Sequence, residues 1–270
     1  MKKHYKNKII ILKLGGSIIT KKNSGRPQIK KTVVKQLAKE LKLFTGRFPK
    51  NKLILLHGAG SFGHPLVYKH KLLEMPLAGT QLLAFSEIIR SMRHMANLLT
   101  DIFRSAKLPI LPIQTSAILN QNKNKLSISN AQQLKQVLSA GFIPLLGGDM
   151  GLTKKNKTIV VSADKLAVLL TETFSISEIV FATDVDGVFE EFPPPNNIQP
   201  FSLLYRKNLK RMLKKMSKQK NQYDVTGGMA GKLQTLLDLK EKKVIIFNGL
   251  KSGNLIKALM NKPVGTRIIL

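Results

Sequence analysis

Three apolar runs constrain the fold of this chain more than any other feature: LILLH (Leu53–His57), FIPLL (Phe142–Leu146) and VIIF (Val244–Phe247). None alternates apolar with polar residues, so a strand built from any of them turns both faces away from water. Such strands belong to parallel sheets covered by helices on each side. The neighbouring segments complete the pattern. Ile9–Leu14 and Ile179–Ala182 read as further buried strands, and Pro109–Ile113 as a short one. Ile29–Phe44, Leu82–Lys107, Ala131–Ser139, Asp164–Thr173, Met229–Lys240 and Asn254–Met260 carry apolar residues at helical spacing. KKNK within LTKKNKTIVV has the form of a hairpin tip, and the proline-rich EFPPPNNIQP reads as a loop. The alternation of strand and helix predicts one large α/β domain. A soft division is expected near Ser177, where a new strand–loop–helix series begins.

The chain's 270 residues suffice for a sizeable core, and an apolar fraction of 43% excludes a disordered chain. Cysteine is absent, which removes disulfides, thiolate metal sites and a cysteine nucleophile. The start, MKKHYKNKIIILKLGG, superficially suggests a signal peptide. Its apolar run is short, Lys13 interrupts it and no small-residue cleavage site follows. No later run approaches the ~18 apolar residues of a membrane span. A soluble cytoplasmic protein is therefore expected. Lys and Arg number 45 against 15 Asp and Glu, a net charge of +30. That balance raises nucleic acid or an anionic membrane surface as partners. The lysines are scattered, however, aromatics are 6%, tryptophan is absent and no nucleic-acid module motif appears. The densest run, RKNLKRMLKKMSKQK (Arg206–Lys220), places Leu209, Met212, Leu213 and Met216 at helical spacing, which fits a solvated basic face on a packed helix. Neither nucleic acid nor membrane is expected as a partner.

Glycines mark the chemistry. GAGSFG (Gly58–Gly63) follows a strand and matches G-x-G-x-x-G. The dinucleotide fingerprint also needs a second strand ending in an acid about 20 residues later; here that region is helical, with Glu74 and Glu87 in it. No G-x-x-x-x-G-K-[ST] occurs, so a P-loop is excluded. Four other glycine stations, KLGGS, GGD, TDVDG and TGGMAGK, lie at or near strand ends. Glycine lets backbone N–H groups approach phosphate closely, and several such loops at the carboxyl ends of one parallel sheet converge on its ligand crevice. Lys13, Lys22 and Lys232 add cations there. Lys13 is the least expected of them, because it stands between Leu12 and Leu14 inside an apolar strand.

This set of motifs resembles the amino acid kinase superfamily and, within it, the isopentenyl phosphate kinases, from Ile10 to Ile268. KLGGSIIT with Lys22, HGAGSFGH, GGDM, SADKL, ATDVDGVF, DVTGGMAGK, FNGL and VGTRI fall in family order. His64 in GSFGH together with DVTGGM is the most specific part. The basic and prolyl segment between Phe189 and Tyr223 departs from the pattern on the nucleotide side. The resemblance implies a three-layer α/β/α sandwich around a mainly parallel sheet, spanning 1–270, with an acceptor lobe over 1–177 and a nucleotide lobe over 178–270. It implies ATP with Mg2+ as phosphoryl donor and a homodimer. Catalysis is implied for Lys13, Lys22 and His64. ATP binding is implied for Lys13, Leu14, Gly15, Gly16, Ser17, Gly60, Asp184, Gly228 and Lys232. Ala59, His64 and Gly148 would hold the acceptor, with Asp149 and Asp164 orienting lysines and amides. The acceptor's organic part would lie among Leu66, Val67, Leu73, Met75, Leu82, Phe85, Ile89 and Met92. His57 reads as structural. The alternatives are a kinase of another small oxyanion on the same fold, such as a fosfomycin, amino-acid or UMP kinase, and a basic nucleic-acid-binding protein on a kinase scaffold. The intact phosphate loops disfavour the last.

A monoester phosphate acceptor is already ionised near neutral pH, its second pKa being about 6. Phosphoryl transfer to it then needs positioned cations and no general base. Lys22→Ala is accordingly expected to lower kcat by about 10²–10³, the scale of a lost oxyanion donor, with little change in KM for ATP. Steady-state kinetics check this, with Lys21→Ala as the dispensable control; near-native turnover of the Lys22 variant contradicts the assignment.

Overall fold

The computed structural model describes residues 8–21, 26–73, 76–122, 125–153, 157–191, 198–216 and 228–270. In chain order its elements are β1 (Ile9–Leu14), α1 (Gly16–Ile19), α2 (Lys31–Arg47), β2 (Lys52–His57), α3 (Gly60–His70), α4 (Thr80–Ser105) and β3 (Ile110–Pro112). After a short 3-10 turn at Thr115–Ala117 come β4 (Leu119–Asn122), β5 (Lys125–Ile128), α5 (Ala131–Ser139), β6 (Ile143–Gly147), β7 (Asp149–Leu152), β8 (Thr158–Val161) and α6 (Ala163–Thr173). The chain closes with β9 (Ile176–Thr183), β10 (Leu203–Tyr205), α7 (Arg206–Met216), α8 (Gly228–Leu236), β11 (Lys243–Asn248), α9 (Asn254–Leu259) and β12 (Thr266–Ile269).

Eight strands form one sheet in the order β10-β12-β11-β9-β1-β2-β6-β3. All neighbours pair in parallel except β12, which runs antiparallel to β11. The non-alternating runs lie at its centre, and the sheet divides their side chains between two cores. Ile10, Leu12 and Leu14 of β1 point to the layer of α2, α4 and α9, where Leu37, Leu41, Met95, Leu99 and Leu255 wait. Ile11 points to the layer of α5, α6, α7 and α8, among Leu134, Leu166, Leu209 and Leu233. Period-2 geometry then sends Lys13 into that second layer. The fold is the expected three-layer α/β/α sandwich. The sheet is continuous across Ser177, because β9 pairs directly with β1.

Several elements escaped the sequence reading. β10 and β12 are short strands at one end of the sheet, β10 being its edge, and β4–β5 is a separate antiparallel hairpin of mostly polar residues. The LTKKNKTIVV segment pairs as the β7–β8 hairpin, with residues 154–156 of its tip outside the described residues. The basic run is helical over Arg206–Met216 with Leu209 and Met212 buried, and 217–220 lie outside the described residues.

One buried carboxylate fastens the last helix to the first long one. Glu40 of α2 accepts hydrogen bonds from the backbone N–H of Gly253 (2.9 Å) and Ile256 (3.1 Å) at the start of α9. It thereby satisfies amides that no side chain within α9 caps, at the end where a helix favours negative charge. Glu40→Ala is expected to cost on the order of 2–3 kcal/mol, the value of two charge-assisted bonds to half-buried donors. For a chain of this size that is a melting midpoint roughly 5–10 °C lower. A thermal scan with a change under about one degree contradicts this reading.

Candidate active site

The chain first builds the sheet on one side of β1, through β2, β3 and β6, and then returns to its other side with β9 and β11. The carboxyl end of β1 is therefore the switch point where an open α/β sheet forms its ligand crevice. Two glycine loops leave the sheet there, one from β1 into α1 and one from β2 into α3. They pack backbone against backbone. A Cβ on Gly16 would stand 2.5 Å from the Gly60 nitrogen, and one on Gly58 2.7 Å from the Gly16 nitrogen. Gly60 also holds φ +48°, the left-handed region that favours glycine. The Gly58 N–H donates to the Leu14 carbonyl and the Gly15 N–H to the Ala182 carbonyl, each at 2.9 Å. The first two glycines of the G-x-G-x-x-G match are thus explained by close packing on KLGGSIIT, and Gly63 by the Ala59 and Met92 side chains, 2.7 and 3.0 Å from any Cβ there.

Beneath the loops lies a buried triad of charges. Lys13, Asp164 and Lys232 are 7%, 9% and 7% exposed. Asp164 sits in the first turn of α6, after Ser162, whose hydroxyl caps the helix by accepting from the Lys165 N–H. Its Oδ1 lies 2.8 Å from Lys13 Nζ and its Oδ2 2.6 Å from Lys232 Nζ. The Phe181 ring floors both ammonium groups, 5.9 and 5.0 Å from its centroid. Burial pushes the Asp164 carboxyl up, but Lys13 and Lys232 outweigh it and hold the group far below the usual carboxylate range. Burial, with Lys13 beside it, pushes the Lys232 ammonium down to about 8 despite Asp164. Two cations on one carboxylate leave a surplus positive charge at the cavity wall, suited to an anionic ligand.

The cavity holds about 730 Å³. Lys13, Gly15, Gly16, Ser17, Gly60, Asp184, Gly228 and Lys232 line it, as do Ala59, His64, Gly148, Asp149 and Asp164. Leu14 does not. Its side chain is fully buried in the core and its carbonyl is taken by Gly58, because alternation along β1 turns it away from Lys13. Lys22 lies outside the described residues. The Gly148 N–H already donates to the His57 carbonyl at 2.9 Å, so it is committed to holding the loop. Asp149 takes the Ser116 N–H on Oδ2 (3.0 Å) and the Met150 N–H on Oδ1 (2.9 Å). It therefore orients amides and touches neither lysine of the triad. Burial pushes its carboxyl up. His57 packs its ring against Gly147, and burial pushes its imidazole down to about 4, so it stays neutral and structural.

One end of the cavity is apolar, lined by Val67, Ile88, Met92, Met150 and Val160. Val67 and Met92 were among the sequence candidates. Leu73 and Leu82 point to solvent, 49% and 56% exposed, while Met75 is outside the described residues. The phase of α4 decides this: its buried stripe runs Ala84, Ile88, Met92, Met95, Leu99. Ile88, one turn before Met92, could have been found from that spacing. Met150 and Val160 come from the β7–β8 hairpin, whose approach to α4 no local pattern announces. Thr20, the last residue of KLGGSIIT, also lines the cavity and was missed.

The model of the amino acid kinase family matches residues 8–248. The isopentenyl phosphate kinase of Methanocaldococcus jannaschii is 32% identical over 269 residues, covering 96% of this chain and 98% of that protein. That of Methanothermobacter thermautotrophicus is 30% identical over 275 residues, with the same shares covered. A solved isopentenyl phosphate kinase superposes with a TM-score of 0.79 at 25% identity, covering 96% of this chain and all of that one. The chain belongs to the amino acid kinase family.

Proposed function

We propose that this protein transfers the γ-phosphoryl group of ATP to isopentenyl phosphate, giving isopentenyl diphosphate and ADP. The observation that carries the reading is one cavity lined both by Lys13, Lys232 and the glycine loops and by an apolar cluster of Val67, Ile88, Met92 and Met150. A phosphate monoester on a short hydrocarbon chain matches both halves. A phosphate oxygen of the acceptor attacks the γ phosphorus in line as the bond to the bridging β–γ oxygen breaks, and that electron pair leaves on ADP. The attacking oxygen carries no proton to remove, so the barrier lies in bringing two anions together. Lys13 and Lys232 hold the donor phosphates against the Gly15 and Gly16 backbone. Lys22 follows the moving phosphoryl. Gly60 faces that group, while Ala59 and His64 grip the acceptor, and Asp184 and Gly228 serve the nucleotide. Asp164 is committed to two lysines and Asp149 to two amides. Mg2+ would therefore be held by the nucleotide phosphates, where it would shield charge. Named relatives that are isopentenyl phosphate kinases over nearly their full length support the acceptor. The same resemblance supports a cytoplasmic homodimer with an acceptor lobe over 1–177 and a nucleotide lobe over 178–270.

Each methylene moved from water into the apolar end is worth about 0.8 kcal/mol, so a five-carbon chain separates this acceptor from smaller oxyanions. With labelled ATP, kcat/KM for isopentenyl phosphate is expected at least ~100-fold above that for fosfomycin, glutamate, aspartate or UMP. His64→Ala is expected to raise the acceptor's KM more than that of ATP. A preference for any of the four competitors overturns the function and leaves the fold intact.

A further inference from the structure

We infer that Thr20 is a positioning residue whose hydroxyl sets the spacing between the donor-side and acceptor-side glycine loops. Thr20 is 1% exposed and ends the turn that follows the first loop. Its Oγ1 donates to the Gly16 carbonyl at 2.7 Å and accepts from the Ser61 N–H at 3.1 Å. One oxygen thus joins the first loop to the first turn of α3. Any Cβ on Gly60 would run into the Thr20 side chain, so the strut bears directly on the residue read as facing the moving phosphoryl. Thr20 is itself anchored from behind. It bridges to Ile29, the Lys21 N–H donates to the Gln28 carbonyl at 2.9 Å, and the Lys30 N–H donates to the Ile19 carbonyl at 2.8 Å. Lys30 Nζ adds a bond to the Ser17 carbonyl at 2.8 Å. The strut is therefore held at both loops and at its base. In-line transfer depends on the gap between donor and acceptor, and a displacement of about 1 Å can cost on the order of 100-fold in rate.

The inference rests on the reading of this cavity as a phosphoryl-transfer site. It is tested with Thr20→Val, which keeps the shape and deletes the hydroxyl, and Thr20→Ser, which keeps the hydroxyl. The expected result for Thr20→Val is a kcat about 10- to 100-fold lower, with KM for ATP and for isopentenyl phosphate each within about three-fold of native. Thr20→Ser should recover most of the turnover. Hydrogen exchange at the Ser61 amide should accelerate in the valine variant and not in the serine one. Thr20→Ala removes the same hydroxyl if the valine methyl crowds Gly60. Native turnover in the valine variant, equal impairment of valine and serine variants, or an effect confined to KM for ATP overturns the assignment. If the native protein phosphorylates another acceptor, the proposed function fails by itself; Thr20 is then judged by the same kcat split on that acceptor and by Ser61 exchange.

Discussion

Everything at this site depends on Asp164 holding two lysines in a place where lysine is costly. A buried ammonium loses its hydration, and two side by side repel as well. Asp164 offsets both terms with one oxygen for each lysine. The pieces come from three elements: the end of β1, the first turn of α6 and the face of α8. The contact therefore also fixes how the second helical layer sits on the sheet.

The glycine loops answer a second constraint. The two loops lie backbone against backbone, and side chains would hold them apart. Gly16, Gly58 and Gly60 remove those side chains, and Thr20 supplies a bond across the remaining gap. The loops and the triad thus do different jobs. In the proposed reaction the triad would give charge at the donor phosphates, and the loops would give the distance across which the phosphoryl group moves.

Much of this was readable from residues alone. Lys13 stood out because a charge inside an apolar strand needs a partner, and the glycine stations marked strand ends where a ligand crevice forms. The resemblance named Asp164 among the residues orienting lysines and amides, but not which lysines it holds, since Asp164 lies on an element far along the chain and only the sheet order brings it to Lys13. Strands β10 and β12 were missed because they are short and carry polar residues such as Tyr205 and Arg267. The apolar end of the cavity was half legible. Helical phase on α4 could have exchanged Leu82 for Ile88, whereas Met150 and Val160 depend on a hairpin folding across from α4. Asp149 was expected to orient lysines or amides; only the hydrogen bonds show that it takes the amides.

Asp164 is the counter-ion without which the two lysines cannot stay buried. Denaturant unfolding of Asp164→Asn without nucleotide, followed against pH, tests it directly. At neutral pH the variant should lose about 3–5 kcal/mol, the cost of leaving buried charge uncompensated. A lysine whose folded pKa is depressed binds fewer protons folded than unfolded, so stability should rise with pH between those two values. For the variant, that recovery begins near or below pH 8, the point to which burial and Lys13 already push Lys232 in the native protein. An unfolding midpoint equal to that of the native protein at neutral pH, with no gain toward alkaline pH, would contradict the account.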